Sequence, residues 1–237
     1  VEACVEVLIQ MNRHGEAQKY LDTHMNRSNA DAGTYELAGR LALMQDNPRR
    51  AAAMFQRACD NDHKNVRYPE MLASAHAQLG EYDRAAQVLQ RLVTREEYEA
   101  PARVYTMLGD SWMALKNPRR AMAAYSVAAR LDNEDAQKWL DVARAALASE
   151  STTRAFQSVY EARRLDPDNR EITLMLGYLA LMHGDGNQAI EILEQANRIH
   201  SDDVDLLNML GRAYHRDGQY DRARQTYERA LAVDADH

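Results

Sequence analysis

The chain has 237 residues, 46% of them hydrophobic, with 36 acidic against 29 basic side chains and a formal net charge of −7. That balance argues against a general polyanion binder, because nucleic-acid domains carry a basic footprint. Scarce phenylalanine (2) and proline (5), beside abundant alanine, favour an all-helical chain. No apolar run approaches the roughly 18 residues of a membrane span, so none is expected here.

In chain order, the sequence opens with "VEACVEV", already in helical pattern and without Met, and is read as starting inside a longer protein. "NPRRA" stands at Asn47–Ala51 and again at Asn117–Ala121. From Ala51, one step of 34 residues reaches Ala85, a step of 36 reaches Ala121, and further steps of 34 reach Ala155, Ala189 and Ala223; one step back gives Ala17. A second column of small residues runs Gly39, Ala73, Gly109, Ala143, Gly177 and Gly211, with Val5 as the departure. A third runs Ala58, Leu92, Ala128, Ala162, Ala196 and Ala230, preceded by His24. A bulkier column holds Leu21, Phe55, Leu89, Tyr125, Val159, Leu193 and Tyr227.

Such columns describe seven units: 1–31, 32–65, 66–101, 102–135, 136–169, 170–203 and 204–237. Each is too short to enclose a core, so its helices must pack on each other and on the next unit, with Gly or Ala where axes approach and a large side chain where they diverge. In "NPRRA" the Asn is expected to cap a helix whose first residue is Pro48 or Pro118, where a missing amide costs nothing. In the last unit Leu207, Leu210, Gly211 and Tyr214 share one helical face, Gly218 is placed as a left-handed cap, and Tyr220, Ala223, Tyr227 and Ala230 carry the second face. The third unit carries two extra residues near "TREEYEAP", which are expected to alter the array locally.

This pattern resembles the tetratricopeptide repeat family over the whole chain. The 34-residue period, the early aromatics Tyr35, Tyr105 and Trp139, the pairs Leu108–Gly109, Leu176–Gly177 and Leu210–Gly211, and "LDPDN" all match it; Pro69 and Thr173 replace the early aromatic in two units. The resemblance implies an all-α, right-handed superhelical solenoid of antiparallel helix pairs, a single domain over 1–237. It also implies that a protein or peptide partner binds in a concave groove lined by the first helix of each pair. At the positions the family exposes there, the middle units present Arg103, Thr106, Asp110, Met113 and Ala114, then Gln137, Leu140, Arg144, Leu147 and Ala148. The sixth unit presents Glu171, Leu174, Tyr178, Leu181 and Met182. The expected partner-binding set is therefore Arg103, Thr106, Asp110, Met113, Leu140, Arg144, Leu147, Leu174, Tyr178, Leu181 and Met182: an apolar lining flanked by arginines. Toward the first end the rows turn acidic, at Glu2, Glu6, Glu36 and Glu70, with Arg40 and Arg67 beside them. Met71, Met107, Met175 and Met209 recur at one repeat position and are read as filler between helices. The family's clamp for chaperone tails needs Lys and Asn where this chain has Glu36 and Arg40, Glu70 and Ser74, or Thr106 and Asp110, so that partner is disfavoured.

No catalytic, metal or cofactor site is expected. There is no phosphate loop and no pair of histidines flanking a glutamate, and "SESTT" at Ser149–Thr153 reads as a helix cap. His76 reads as a packed or capping imidazole. The two cysteines, Cys4 and Cys59, cannot form a disulfide framework or a four-ligand zinc site, and both are read as small buried hydrophobes. The chain is thus expected to be a non-catalytic scaffold. The alternatives are a recruiting arm of a larger enzyme such as a glycosyltransferase, and self-association through terminal repeats, prompted by a chain that stops at Asp234–His237 without a further solvating helix. Arginine at 25 against four lysines points to a GC-rich, bacterial source.

Overall fold

The computed structural model describes residues 2–27 and 30–235, with the side chains of Glu2, Asn26, Arg27, Asp234 and Ala235 also outside the description. The sequence expectations placed on the Glu2 side chain and on residues 236–237 fall outside what is described. Among the described residues there are fourteen helices and no strand. In pairs they are α1 (Glu2–Gln10) and α2 (His14–Arg27); α3 (Ala32–Met44) and α4 (Pro48–Asn61); α5 (Arg67–Gln78) and α6 (Tyr82–Val93); α7 (Ala102–Ala114) and α8 (Pro118–Leu131). Then come α9 (Ala136–Ala148) and α10 (Thr152–Leu165); α11 (Arg170–His183) and α12 (Gly186–Ile199); α13 (Val204–Arg216) and α14 (Tyr220–Ala235). No helix of the described residues is long and apolar enough to cross a membrane.

The chain folds as two compact units, Val1–Ala128 and Ala129–His237. In the first, consecutive helices from α1 to α7 pack side by side, and α1 also meets α3 as α5 meets α7. In the second, consecutive helices from α9 to α14 do the same, with α11 against α13. Within each unit, first helices thus touch first helices, α1 with α3 and α5 with α7 in one, α11 with α13 in the other.

The size columns are the reason the pairs close. All seven alanines from Ala17 to Ala223 are buried. In the second column, a Cβ built on Gly39 would fall 2.4 Å from the Phe55 ring, on Gly109 2.4 Å from the Tyr125 ring, on Gly177 2.7 Å from Leu193 and on Gly211 2.6 Å from the Tyr227 ring. Each partner lies sixteen residues on, in the second helix of the same pair. Where the small residue is alanine, the residue sixteen on is smaller than an aromatic: Ala73 has Leu89 and Ala143 has Val159, all buried. Val5, the departure from the column, is buried with Leu21 in one cluster. Pro69 and Thr173, which stand in for the early aromatic, are also buried.

The helix ends follow their chemistry. Asn47 accepts from the Arg50 amide at 3.0 Å with Pro48 opening α4, and Asn117 accepts from the Arg120 amide at 3.3 Å. Every turn inside a pair has one residue in the left-handed region: Gly80, Gly184 and Gly218, and also Asn12, Asp46, Lys116 and Glu150, with φ between 55° and 84°. In each, the following amide donates back five residues, as Asn47 does to the Ala42 carbonyl (2.9 Å) and Gln219 to Tyr214 (2.9 Å). This is a Schellman closure repeated seven times. The hydroxyl cap expected from "SESTT" is absent: Ser151 makes no side-chain cap bond to α10, and the Ser149 hydroxyl donates instead to the Ala146 carbonyl at 3.0 Å.

Candidate functional site

The first helices of the first unit carry a ladder of ion pairs between repeats. Glu36 on α3 faces Arg67 of α5 at 3.8 Å and Arg40 at 3.9 Å. Glu70 on α5 receives both arms of the Arg103 fork from α7, each at 3.0 Å, and the Tyr98 hydroxyl at 2.8 Å. Burial first, then that bond to Glu70, pushes the Tyr98 phenol up to about 12. Arg103, expected to meet a partner, is therefore engaged within the chain. The Thr106 hydroxyl returns to the Ala102 carbonyl of its own helix at 3.2 Å, and Asp110 accepts from the Tyr125 hydroxyl at 2.7 Å. Asp110 also lines a small cleft of ≈ 290 Å³ between α5 and α7, together with Ser74 and Met107. Met113 is half-buried.

In the second unit, Arg144 on α9 is held by Asp141 at 2.8 Å and by the Glu171 carboxylate of α11 at 2.6 Å. Arg170 pairs with Asp203 and, at 2.6 Å, with Asp205. Two expected lining residues are not at the surface: Leu140 is 1% and Leu181 5% exposed. Leu140 is buried on α9, and Leu181 joins the cluster formed by α11 to α14, where the neighbouring pair closes over it. Leu147 is half-buried, and Leu174 packs partly into that same cluster. What remains open on α11 is Tyr178, 39% exposed, and Met182, 54% exposed, one turn apart and in line with Leu174.

Other sequence expectations find definite places. Met71, Met107 and Met209 are partly buried against core clusters, as filler should be, and Met175 is half-buried. His76 meets Glu81 across 2.7 Å at the start of α6, and that contact, ahead of Arg84, holds the Glu81 carboxyl below its ordinary value. Cys59 is half-buried and its thiol is pushed up to about 11 by burial, whereas Cys4 is exposed, contrary to the reading of both as core residues. Cys4 falls on the open side of α1, away from Val5. Among the described residues no group of three or more His, Cys, Asp or Glu is arranged to hold a metal ion. Sequence reasoning missed one feature altogether, a cavity of ≈ 680 Å³ on second helices α6 and α8.

Repeating helix pairs and glycine-to-ring contacts agree with the comparisons to known proteins. The family model described as the cilia and flagella-associated protein 70 C-terminal domain, a tetratricopeptide-repeat family, matches residues 16–237. The chain belongs to this family. Among solved structures, this tetratricopeptide-repeat chain is similar to the C-terminal part of a TPR repeat-containing protein from Cytophaga hutchinsonii: 14% identity, all of this chain and 96% of that one, TM-score 0.81. It is similar to YrrB, titled a TPR protein with an unusual peptide-binding site, at 16% identity over 79% of this chain and 95% of that one, TM-score 0.67. MamA matches at 19% identity over 70% of this chain and 95% of that one, TM-score 0.64. At these identities the likeness shows the tetratricopeptide fold alone. No curated protein matches the sequence.

Proposed function

We propose that the chain is a non-catalytic scaffold that holds a peptide segment of a partner protein on the first-helix face, with α11 as the anchor in the second unit. The observation that carries this reading is the exposure of Tyr178 and Met182, i and i+4 on one helix above the half-buried Leu174. An aromatic and a methionine facing water on a folded surface mark a place that gains by being covered. Arg144 and Arg170 are already neutralised by Asp141, Glu171, Asp203 and Asp205, so the reading rests on the apolar surface rather than on a grip by those two arginines. The tetratricopeptide fold supports protein binding as the general role, and YrrB is a similar fold whose title describes a peptide-binding site.

The test is fluorescence anisotropy with a labelled amphipathic peptide of no net charge. Tyr178→Glu combined with Met182→Glu is expected to weaken binding at least about tenfold, or roughly 1.4 kcal/mol, without lowering the thermal midpoint. A folded double variant that binds unchanged removes α11 from the site. Leu181 is unsuitable for this purpose, since a glutamate there would charge the core.

A further inference from the structure

The third repeat spends its two extra residues on the connection 94–101 between α6 and α7, which is eight residues long where the connections before α9, α11 and α13 have four. That connection is tied down: Tyr98 packs on the core of α6 and α7 while its hydroxyl donates to Glu70. Beside it, α6 and α8 leave a cavity of ≈ 680 Å³ whose floor is the face of α7 carrying Tyr105, Leu108 and Trp112. This lies on the second helices, away from the first-helix face, and its size is that of a ligand-binding cleft.

The rim of this cleft is cationic. Arg103, Arg144 and Arg170 are all consumed by carboxylates. Arg91 and Arg120, on opposite walls of the cleft, have no carboxylate within ion-pair distance among the described residues. The Arg120 guanidinium lies 4.6 Å from the centroid of the Trp112 ring, holding a cation over an aromatic floor. Across α6 a second cleft of ≈ 530 Å³ shares Arg91 and adds Arg49 and Arg84, with Glu81 as its only acid, already paired to Arg84 at 3.0 Å. Four arginines and one glutamate thus face the two clefts on a chain of net charge −7. An apolar floor between unpaired arginines is complementary to one kind of guest, an apolar side chain flanked by carboxylates.

We propose that the cleft between α6 and α8 is a docking site for an acidic peptide segment of a partner protein, which seats a bulky apolar side chain on Trp112 and pairs its carboxylates with Arg91 and Arg120. The second cleft across α6 gives such a segment room to continue. This surface is separate from α11, and neither proposal depends on the other.

Trp112 makes the test direct, because Trp139→Phe leaves it as the sole tryptophan of the full chain. The probe is a short synthetic peptide alternating glutamate with leucine and phenylalanine, compared with its lysine counterpart and with dodecanoate. The acidic peptide is expected to shift Trp112 emission saturably, with an affinity that falls as salt rises, and the lysine peptide to leave it unmoved. Arg91→Glu with Arg120→Glu, both exposed, is expected to weaken binding roughly tenfold or more. Ala123→Tyr, at the cleft wall, is expected to block it while circular dichroism and the thermal midpoint hold. The proposal is overturned if the acidic peptide leaves the emission unchanged, if the lysine peptide binds equally, or if the arginine reversals have no effect. It is equally overturned if dodecanoate alone occupies the cleft, or if raising the chain's own concentration produces the shift without peptide.

Discussion

Replacing Gly109 by alanine places a methyl group where the Tyr125 ring already lies. Its carbon would sit 2.4 Å from Cε1 and 2.5 Å from Cδ1, when carbon atoms prefer about 3.5–4.0 Å. Relief needs a shift of an ångström or more by a ring that is buried and whose hydroxyl is held by Asp110 at 2.7 Å. Overpacking of this kind costs about 1–3 kcal/mol, and straining the hydroxyl bond adds about 1 kcal/mol at most. We therefore expect Gly109→Ala to destabilise the first unit by about 2–3 kcal/mol. Tyr125→Leu alone leaves a gap above Gly109 and removes the bond to Asp110, at about 2–3 kcal/mol. Together they install the combination that the chain already uses at Ala73 and Leu89, so the double variant should fall short of the summed costs by about 1–2 kcal/mol. Equilibrium urea unfolding of the four proteins, followed by circular dichroism and compared through midpoints at a common slope, gives the coupling. Strict additivity, or a cost for Gly109→Ala below about 0.5 kcal/mol, would show that the glycine is not there to admit the ring.

The left-handed turn column supplies a second prediction: Lys116→Gly and Glu150→Gly, at φ 56° and 61°, should each stabilise by about 0.5–1 kcal/mol, while Gly80→Ala should cost a similar amount although nothing lies within 4 Å of its Cβ. Thermal midpoints check this, and a lower midpoint for either glycine variant contradicts it. A third concerns Asp135, whose carboxyl is held below its ordinary value of 3.8 mainly by the bond from Lys138, with the Gln137 amide also donating. A depressed carboxyl contributes stability that is present in full above its ordinary pKa and is lost as the pH falls through the lowered one. Asp135→Asn, which can still cap α9, should therefore lower the melting temperature at pH 7 and make no difference at about pH 2. An equal gap at both pH values would assign the effect to shape instead of charge.

Much of the fold was legible because helix pairs are built from contacts close in sequence. The small and the large columns recur each period, and the capping Asn recurs in two units, so the columns of Gly39 and Phe55 and the cap at Asn47 with Pro48 could be read from letters alone, whereas the seating of the Phe55 ring on Gly39 came from the structure. The sequence also marked the third repeat as longer. The tertiary structure alone decided how exposed each position on the first-helix face is, since that depends on residues about one repeat away. Leu140 and Leu181 occupy family groove positions, yet their own neighbours bury them. Arg103 and Arg144 read as free cations until Glu70, 33 residues from one, and Glu171, 27 from the other, are seen beside them. The left-handed backbone at Asn12, Asp46, Lys116 and Glu150 was equally hidden, because a Schellman closure is forced by the paired helices and tolerates side chains that do not announce it. Periodicity thus determined which helices pair and what size of residue stands at each crossing. The surface left over, including the cleft floored by Trp112, came from the three-dimensional closing of one repeat on the next, which no single period contains.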